Sequence, residues 1–154
     1  MPESLRSRML RFAFNWFPAY RGSGGRVTYI AGDFREVRVR VPLNWRTRNY
    51  VGSIFGGSMF GAVDPMYMIM LIRALGSGYE VWDKSAEIRF RKPGRTALHA
   101  VFALTDDELR EIREVLRTSS RTDRTYSIEL RDDGGVVHAT IAKTIHIRLK
   151  AATA

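Results

Sequence analysis

Apolar and polar residues alternate along much of the chain, with the period of two that is typical of half-buried β-strands. In most of these stretches one face of the predicted strand is apolar and the other carries charged or hydroxyl side chains. The predicted strands cover residues 27–30, 37–41, 86–90, 98–104, 126–130 and 137–149. Turns rich in Gly, Pro and Asp lie at residues 92–94 and at residues 132–135, between the last two strands, so we expect a mostly antiparallel sheet.

The N-terminal segment has helical spacing instead. Residues 3–17 predict an amphipathic helix, which Pro18 and the glycine-rich residues 22–25 end. Its apolar face consists of Leu5, Met9, Phe12 and Trp16. We expect this face to pack on the rest of the domain, and docking on a membrane surface is the alternative.

Two further helices are predicted. Residues 105–116 form a short one that begins with a capping box at Thr105 and Glu108. Residues 57–75 are apolar on nearly every side, and a helix of this kind has to be enclosed by other elements. The apolar stretch 54–72 is also long enough to span a bilayer, but it contains Asp64 and the rest of the chain has the pattern of a soluble sheet. We therefore expect a core helix and no membrane span.

These elements combine into one domain with an α+β fold. The economical arrangement is a single curved antiparallel sheet, of about six strands, wrapped around a long central helix. A helix and linker in residues 1–24 would precede a core at 25–150.

Composition narrows the possible functions. The chain of 154 residues contains no cysteine, which excludes disulfides, thiolate metal ligands and a cysteine nucleophile. Its N-terminus lacks the pattern of a secretory signal, so we expect a cytoplasmic protein. The net charge of +9 suits a polyanionic partner, yet the basic residues are scattered and accompany no recognisable nucleic-acid-binding module. The three histidines, His99, His138 and His146, lie too far apart for a compact metal site, and we expect them at surface or cross-strand polar positions.

Two features near the start and middle of the predicted central helix point to chemistry. Gly56 and Gly57 lie where that helix begins, so their N–H groups are free to bind an anion or an oxyanion. Asp64 is the only charged residue between Arg48 and Arg73, and a buried carboxylate is costly unless it is paired or used. Because Pro65 follows it, Asp64 is an equally good candidate for the N-cap of a new helix.

The segment 49–64 resembles the signature of hotdog-fold thioesterases of the phenylacetyl-CoA type. In that family an Asn precedes a His-Gly-Gly by six residues, and an Asp or Glu follows the His by nine. Here Asn49, Phe55, Gly56-Gly57 and Asp64 stand at these positions, so Phe55 replaces the family's His.

Two neighbouring segments extend the resemblance. Residues 64–67 and 88–93 are similar to those of an uncharacterised bacterial branch of this superfamily, of the domain-of-unknown-function type. The order of elements agrees with the family over residues 25–150.

The resemblance implies the hotdog fold and hydrolysis of an acyl thioester, with acyl-CoA as the expected substrate. The N–H of Gly56 or Gly57 would hold the oxyanion. Asp64 would activate water as a general base or attack as a nucleophile, and Asn49 would orient water or a neighbouring loop. The resemblance also implies a homodimer or homotetramer with its sites across an interface, and no cofactor or metal.

Substrate-binding residues would surround this segment. The candidates for an acyl slot are Phe55, Ser58, Met59, Phe60, Met66, Tyr67 and Met68. Side chains of this kind on an enclosed helix more often belong to a plain core. Arg91, Lys92 and Arg95 crowd one turn and are candidates for the phosphates of coenzyme A, with a solvated turn as the alternative.

One alternative function belongs to a different class. A non-catalytic hotdog module would bind acyl-CoA or acyl carrier protein as a sensor or scaffold, and both Phe55 and Pro65 favour this hypothesis. A hotdog dehydratase is disfavoured, because those enzymes use a His with the acid and none lies near Asp64 in the sequence.

Overall fold

The computed structural model describes residues 1–150 and consists of five helices and six strands in this part of the chain. In chain order these are α1 (Leu5–Trp16), α2 (Pro18–Ser23), β1 (Arg26–Ile30), β2 (Glu36–Val41), α3 (Gly56–Val63), α4 (Met66–Leu75), β3 (Tyr79–Phe90), β4 (Leu98–Ala103), α5 (Asp106–Thr118), β5 (Arg121–Arg131) and β6 (Val137–Leu149). The predicted α+β order, with the central helix between the second and third strands, is confirmed.

The strands form one six-stranded sheet in the order β1-β2-β4-β5-β6-β3, and all neighbours run antiparallel. Alternate residues point to one side and are buried there, such as Val39 on β2, Phe102 on β4 and Ile141 on β6. The turn between β5 and β6 closes through a hydrogen bond from the Gly135 N–H to the Asp132 carbonyl, 2.9 Å long. Gly135 has a φ of +81°, a conformation that favours glycine.

The buried side of the sheet packs on α3 and α4, which follow each other with only Asp64 and Pro65 between them. The single long helix expected at 57–75 is therefore interrupted at Pro65, which has no N–H to donate to the preceding turn. By length and composition alone Gly56–Leu75 is apolar enough to cross a membrane, and half of its apolar window is buried inside the fold. A curved sheet around a central helix is the hotdog fold, as the sequence predicted.

The N-terminal region differs from the prediction in two ways. Residues after Pro18 form α2 instead of a linker, because proline is well suited to the first turn of a helix. The face of α1 that carries Leu5 and Phe12 is also exposed, whereas Ser7 and Phe14 on the opposite face lie against the domain. The expectation that the apolar face packs inward was wrong, because side-chain hydrogen bonds of α1 hold its other face to the sheet.

The β3 strand forms one edge of the sheet. It begins seven residues before the predicted strand at 86–90, and it pairs only with β6 within the described chain. Of its alternating apolar residues, Ile88 is half-buried, and Ala86 and Phe90 are exposed. One long edge of the sheet is thus open, with apolar side chains beside it.

Candidate functional site

Lys143 is a charged residue whose side chain is completely buried, with an exposed fraction of 0%. It lies on β6 at an inward position of the alternation, between Ile141 and Ile145. Its ammonium group donates hydrogen bonds to Oδ1 and to the main-chain carbonyl of Asp64, and it contacts Oδ2 of Asp83 on β3 at 2.9 Å. The three donors of this lysine therefore all have acceptors, which is the condition for burying an ammonium ion.

The cluster of Asp64, Asp83 and Lys143 contains two carboxylates and one cation. Burial raises the pKa of Asp83 above its usual value of 3.8, while the hydrogen bond and charge of Lys143 oppose this and the charge of Asp64 adds to it. Oδ1 of Asp83 is buried and has no hydrogen-bond partner in the part of the chain that is described. The cluster therefore holds two carboxyl groups and a single cationic partner.

Asp64 is the exposed member of the cluster, with 38% of its side chain accessible. Its backbone is helical, with φ −49° and ψ −51°, and it ends α3. Its side chain makes no capping hydrogen bond to α4, so the alternative of an N-cap at Asp64 is wrong. Oδ1 is bound to Lys143, and Oδ2 has no hydrogen bond within residues 1–150. This second oxygen is free to bind a water molecule or to react as a nucleophile.

Asp64 borders a cavity of about 370 Å³ between α2, α3 and α4. The remaining wall of this Asp64 cavity is mostly apolar and includes Phe14, Phe17, Gly61, Pro65 and Met68. A carboxylate at the wall of an apolar cavity is chemically able to act as a base on a molecule bound there.

A second cavity, also of about 370 Å³, lies at the start of α3. This Gly56 cavity is lined by Asn49, Ser53, Ile54, Gly56, Met59, Phe90, Arg91, Lys92 and Pro93. Gly56 and Gly57 occupy the first turn of α3, and neither N–H has an acceptor among the described residues. A Cβ on Gly56 would lie 2.7 Å from the tip of the Phe90 ring, so a larger residue here would push that exposed ring aside. The geometry leaves the Gly56 amide as a free donor at a cavity that Arg91 and Lys92 also line, whereas Gly57 does not border this cavity.

Asn49 supports the loop that precedes α3. Its Oδ1 accepts from the N–H groups of Val51 and Ser53, at 3.2 and 3.0 Å, and its Nδ2 donates to the Ser53 hydroxyl at 2.9 Å. Of the two roles expected for Asn49, orienting a neighbouring loop matches these contacts.

The other predicted substrate-binding residues are divided among several places. Arg91 and Lys92 line the Gly56 cavity, and Arg95 does not border it. Met59 is buried in the floor of the same cavity, and Met68 lines the Asp64 cavity.

Five further candidates lie outside the two cavities, and one of them, Met66, is buried in the core. Tyr67 belongs to the core, where it stacks on Tyr126 with ring centroids 4.0 Å apart. Ser58 is buried, and Phe55 is exposed beside the first turn of α3. The ring of Phe60 lies 5.9 Å from Nζ of Lys143, next to the carboxylate cluster.

The histidines take structural positions. His138 is buried, against the expectation of a surface position, because its ring nitrogens contact Asp132 at 2.9 Å and the Pro93 carbonyl at 3.1 Å. His146 faces Asp123 across neighbouring strands, as expected for a cross-strand pair. Within residues 1–150, no group of three or more His, Asp or Glu side chains is arranged to hold a metal ion.

Comparison with known proteins assigns this chain to a family. The family described as a domain of unknown function, DUF4442, matches residues 5–147, which is nearly the whole chain. This protein belongs to the DUF4442 family. A search of curated proteins found no match.

Solved structures share the fold of this DUF4442 protein. A probable thioesterase of unknown function from Pseudomonas aeruginosa is 20% identical, with a TM-score of 0.84 over 97% of this chain and 99% of the other. A thioesterase from Haemophilus influenzae is 13% identical, with a TM-score of 0.69 over 99% and 97% of the two chains. A protein of unknown function from Chlorobaculum tepidum is 15% identical, with a TM-score of 0.74 over 94% and 95%. At these identities the likeness establishes a hotdog fold of the kind found in thioesterases.

Sequence reasoning missed Lys143 in this DUF4442 protein. The signal was present, because residue 143 has the same parity as Ile141 and Ile145 and therefore had to point into the core with them. A lysine at an inward position needs a carboxylate nearby, and Asp64 was the unpaired carboxylate of the central helix.

Proposed function

We propose that the protein hydrolyses acyl thioesters, with acyl-CoA as the substrate class. The observation that carries this proposal is the carboxylate of Asp64, held by a fully buried lysine at the wall of an apolar cavity. Lys143 fixes the position of Oδ1, and Oδ2 has no hydrogen bond within residues 1–150 and is available to act on a bound molecule. The hotdog structures named as thioesterases support the same reaction class.

The reaction needs an oxyanion site and a base. The free N–H of Gly56 or Gly57 would polarise the thioester carbonyl and bind the oxyanion that forms when a nucleophile adds to the carbonyl carbon. Asp64 would remove a proton from water as the water attacks, or would attack through Oδ2 to form an anhydride that water then cleaves. Collapse of the oxyanion expels the thiolate, which takes up a proton. The water route leaves the carboxylic acid directly. The nucleophilic route leaves the anhydride of Asp64, and its hydrolysis releases the acid and restores the carboxylate.

One chain cannot supply both groups to one carbonyl. Gly56 begins α3 and Asp64 ends it eight residues later, which is about 12 Å by the rise of an α-helix. Groups that act on the same carbonyl have to lie roughly 3 Å from it. The two cavities have no lining residue in common. A second copy of the chain is therefore part of the proposal.

The edge strand β3 indicates how two copies would combine. Asp83 of β3 lies beside Lys143 and Asp64, and Phe90, seven residues further along, packs on Gly56. Antiparallel pairing of two β3 edges would place the Asp83 end of one copy opposite the Phe90 end of the other. This arrangement brings Asp64 of one copy towards Gly56 of its partner, and it covers the open edge of the sheet. A homodimer of this kind, or a tetramer built from it, in the cytoplasm is the form that we propose.

Release of free thiol from acyl-CoA substrates of several chain lengths tests the proposal. Asp64→Asn should lower turnover at least about a hundredfold, because it removes the base and the nucleophile but keeps the size of the side chain. Asp107→Asn makes the same chemical change at an exposed residue of α5 and should keep wild-type turnover.

Two results would contradict the proposal. Retained turnover in Asp64→Asn would remove Asp64 from the mechanism. Tight acyl-CoA binding without turnover by the folded wild-type protein would favour the non-catalytic binding module, which the replacement of the family's His by Phe55 also favours.

A further inference from the structure

The outer face of α1 forms an apolar ridge that the rest of the chain does not cover. The α1 ridge consists of Leu5, Met9, Phe12 and Trp16, and Phe17 continues it towards α2. Their exposed fractions are 75%, 67%, 66%, 55% and 59%. The spacing of three and four residues aligns the four helical side chains on one face. A continuous row of large apolar side chains of this kind marks an interaction surface.

Polar contacts on the opposite face fix the direction in which this ridge points. The Asn15 side chain donates to the Val27 carbonyl at 2.9 Å and accepts from the Val27 N–H at 2.8 Å. The Glu3 carboxylate accepts from the Ile30 N–H at 3.0 Å and from Arg11 at 2.8 Å. Turning α1 to bury the ridge would break the bonds to Val27 and Ile30, so the outward orientation is built into the fold.

The charge around the ridge identifies its partner. Residues 5–26 contain five arginines and no acidic residue: Arg6, Arg8, Arg11, Arg21 and Arg26. The Arg21 guanidinium lies 4.5 Å from the centre of the Trp16 ring, and Arg46 donates to the Arg21 carbonyl at 3.0 Å. The exposed side chain of Trp45 adjoins Arg46. Aromatic and cationic groups are thus mixed along one surface.

A second copy of the chain does not fit this surface well. Two-fold docking of ridge on ridge would bring the arginines of both copies together, and like charges across an interface are unfavourable. An anionic lipid surface suits both the apolar ridge and the arginines beside it. Its acyl region accepts the apolar side chains, and its phosphates accept hydrogen bonds from the guanidinium groups.

We propose that the α1 ridge docks the protein on the surface of an anionic phospholipid bilayer. Met9, Phe12 and Trp16 enter the headgroup and acyl boundary, and Arg8 and Arg21 contact lipid phosphates, whereas Arg11 is paired with Glu3. This docking is separate from the proposed hydrolysis and does not depend on it. Phe17 lies at the end of the ridge and also lines the Asp64 cavity, so docking places that cavity next to the lipid surface.

Flotation of the full-length protein with lipid vesicles tests the docking. We expect binding to vesicles of phosphatidylcholine mixed with phosphatidylglycerol, little binding to phosphatidylcholine alone, and weaker binding at high salt. The double variant Met9→Ser and Phe12→Ser should lose at least about tenfold in vesicle affinity. Arg8→Gln and Arg21→Gln should each weaken it roughly fivefold. Val101→Ser, which replaces an apolar residue exposed on β4, is the matched control and should bind as the wild type does.

Sedimentation of the same proteins without lipid tests whether a second copy of the chain covers the ridge instead of a lipid surface. The proposal expects the ridge variant to keep the wild-type oligomeric state and a wild-type circular dichroism spectrum. Absence of wild-type binding to either vesicle would overturn the proposal. Dissociation of the ridge variant into smaller species would also overturn it, because the ridge would then be an interface between copies. If the serine variant does not fold, unchanged binding of the two arginine variants overturns it instead.

Discussion

Replacing Lys143 by Met tests the central electrostatic claim about the site. Methionine has a similar length and no charge, so Lys143→Met fills the same space on β6 without leaving a large cavity. The change leaves the carboxylates of Asp64 and Asp83 next to each other without their shared cation. It therefore isolates the contribution of the buried ammonium group.

The size of the effect follows from burial. Removing one partner of a buried ion pair costs about 3–5 kcal/mol of folding free energy. The side chains of Asp64 and Asp83 are 38% and 29% exposed, so water compensates part of the loss. We expect the lower end, about 3 kcal/mol at neutral pH, which for a chain of this length corresponds to a decrease in Tm of roughly 6–12 °C.

The loss should depend on pH in a defined direction. Burial raises the pKa of Asp83 above 3.8, and Lys143 opposes this rise in the wild type. Without the lysine, the folded protein binds a proton at Asp83 more readily than the unfolded chain does. A carboxyl group whose pKa is higher in the folded protein than in the unfolded chain stabilises the folded state fully at pH values below the unfolded pKa. This stabilisation is lost as the pH rises through the folded pKa. The difference between variant and wild type should therefore be largest at neutral pH and smaller at roughly pH 4, close to the usual pKa of 3.8.

Urea unfolding followed by circular dichroism at both pH values measures these differences. Lys84→Met is the control, because Lys84 is an exposed lysine paired with Asp123, and its loss should cost less than about 1 kcal/mol. Combining Lys143→Met with Asp64→Asn and Asp83→Asn should recover most of the lost stability, since no unpaired charge remains. An effect of Lys143→Met no larger than that of the control, or no recovery in the triple variant, would refute the reasoning.

The remaining predictions concern the proposed dimer and the coenzyme A contacts. Ala86→Glu places a carboxylate near the middle of the open β3 edge, where it would face the partner copy of the proposed dimer. Sedimentation equilibrium should then show monomers. The control Val101→Glu, on β4, should leave the dimer intact. A monomeric wild type would contradict the proposed assembly. Arg91→Gln with Lys92→Gln should raise the KM for acyl-CoA several-fold at low salt, and Arg95→Gln should not, because Arg95 lies outside the Gly56 cavity. Equal effects at the three positions would indicate a diffuse attraction by the basic surface.

Local pattern in the sequence was enough to determine the elements and the fold class. Alternation of apolar residues, such as Val37, Val39 and Val41, identified strands because successive side chains of a strand point to opposite faces. The Thr105 hydroxyl accepts the Glu108 N–H at 3.1 Å and begins α5 where the capping pattern predicted. An apolar helix between strands then required a sheet around it, since such a helix has no polar face to expose.

Tertiary structure decided which faces are covered and which charges meet. The α1 sequence shows one apolar face, yet that face is exposed. The reason is that Asn15 of α1, and Glu3 just before the helix, bind the backbone of β1. Asp64 and Lys143 are 79 residues apart, and their pairing depends on how the central helix lies against β6. Periodicity reports only which residues share a face, whereas burial depends on contacts between distant segments. For that reason the sequence determined the hotdog fold and pointed to Asp64, and only the folded chain revealed the lysine that holds it.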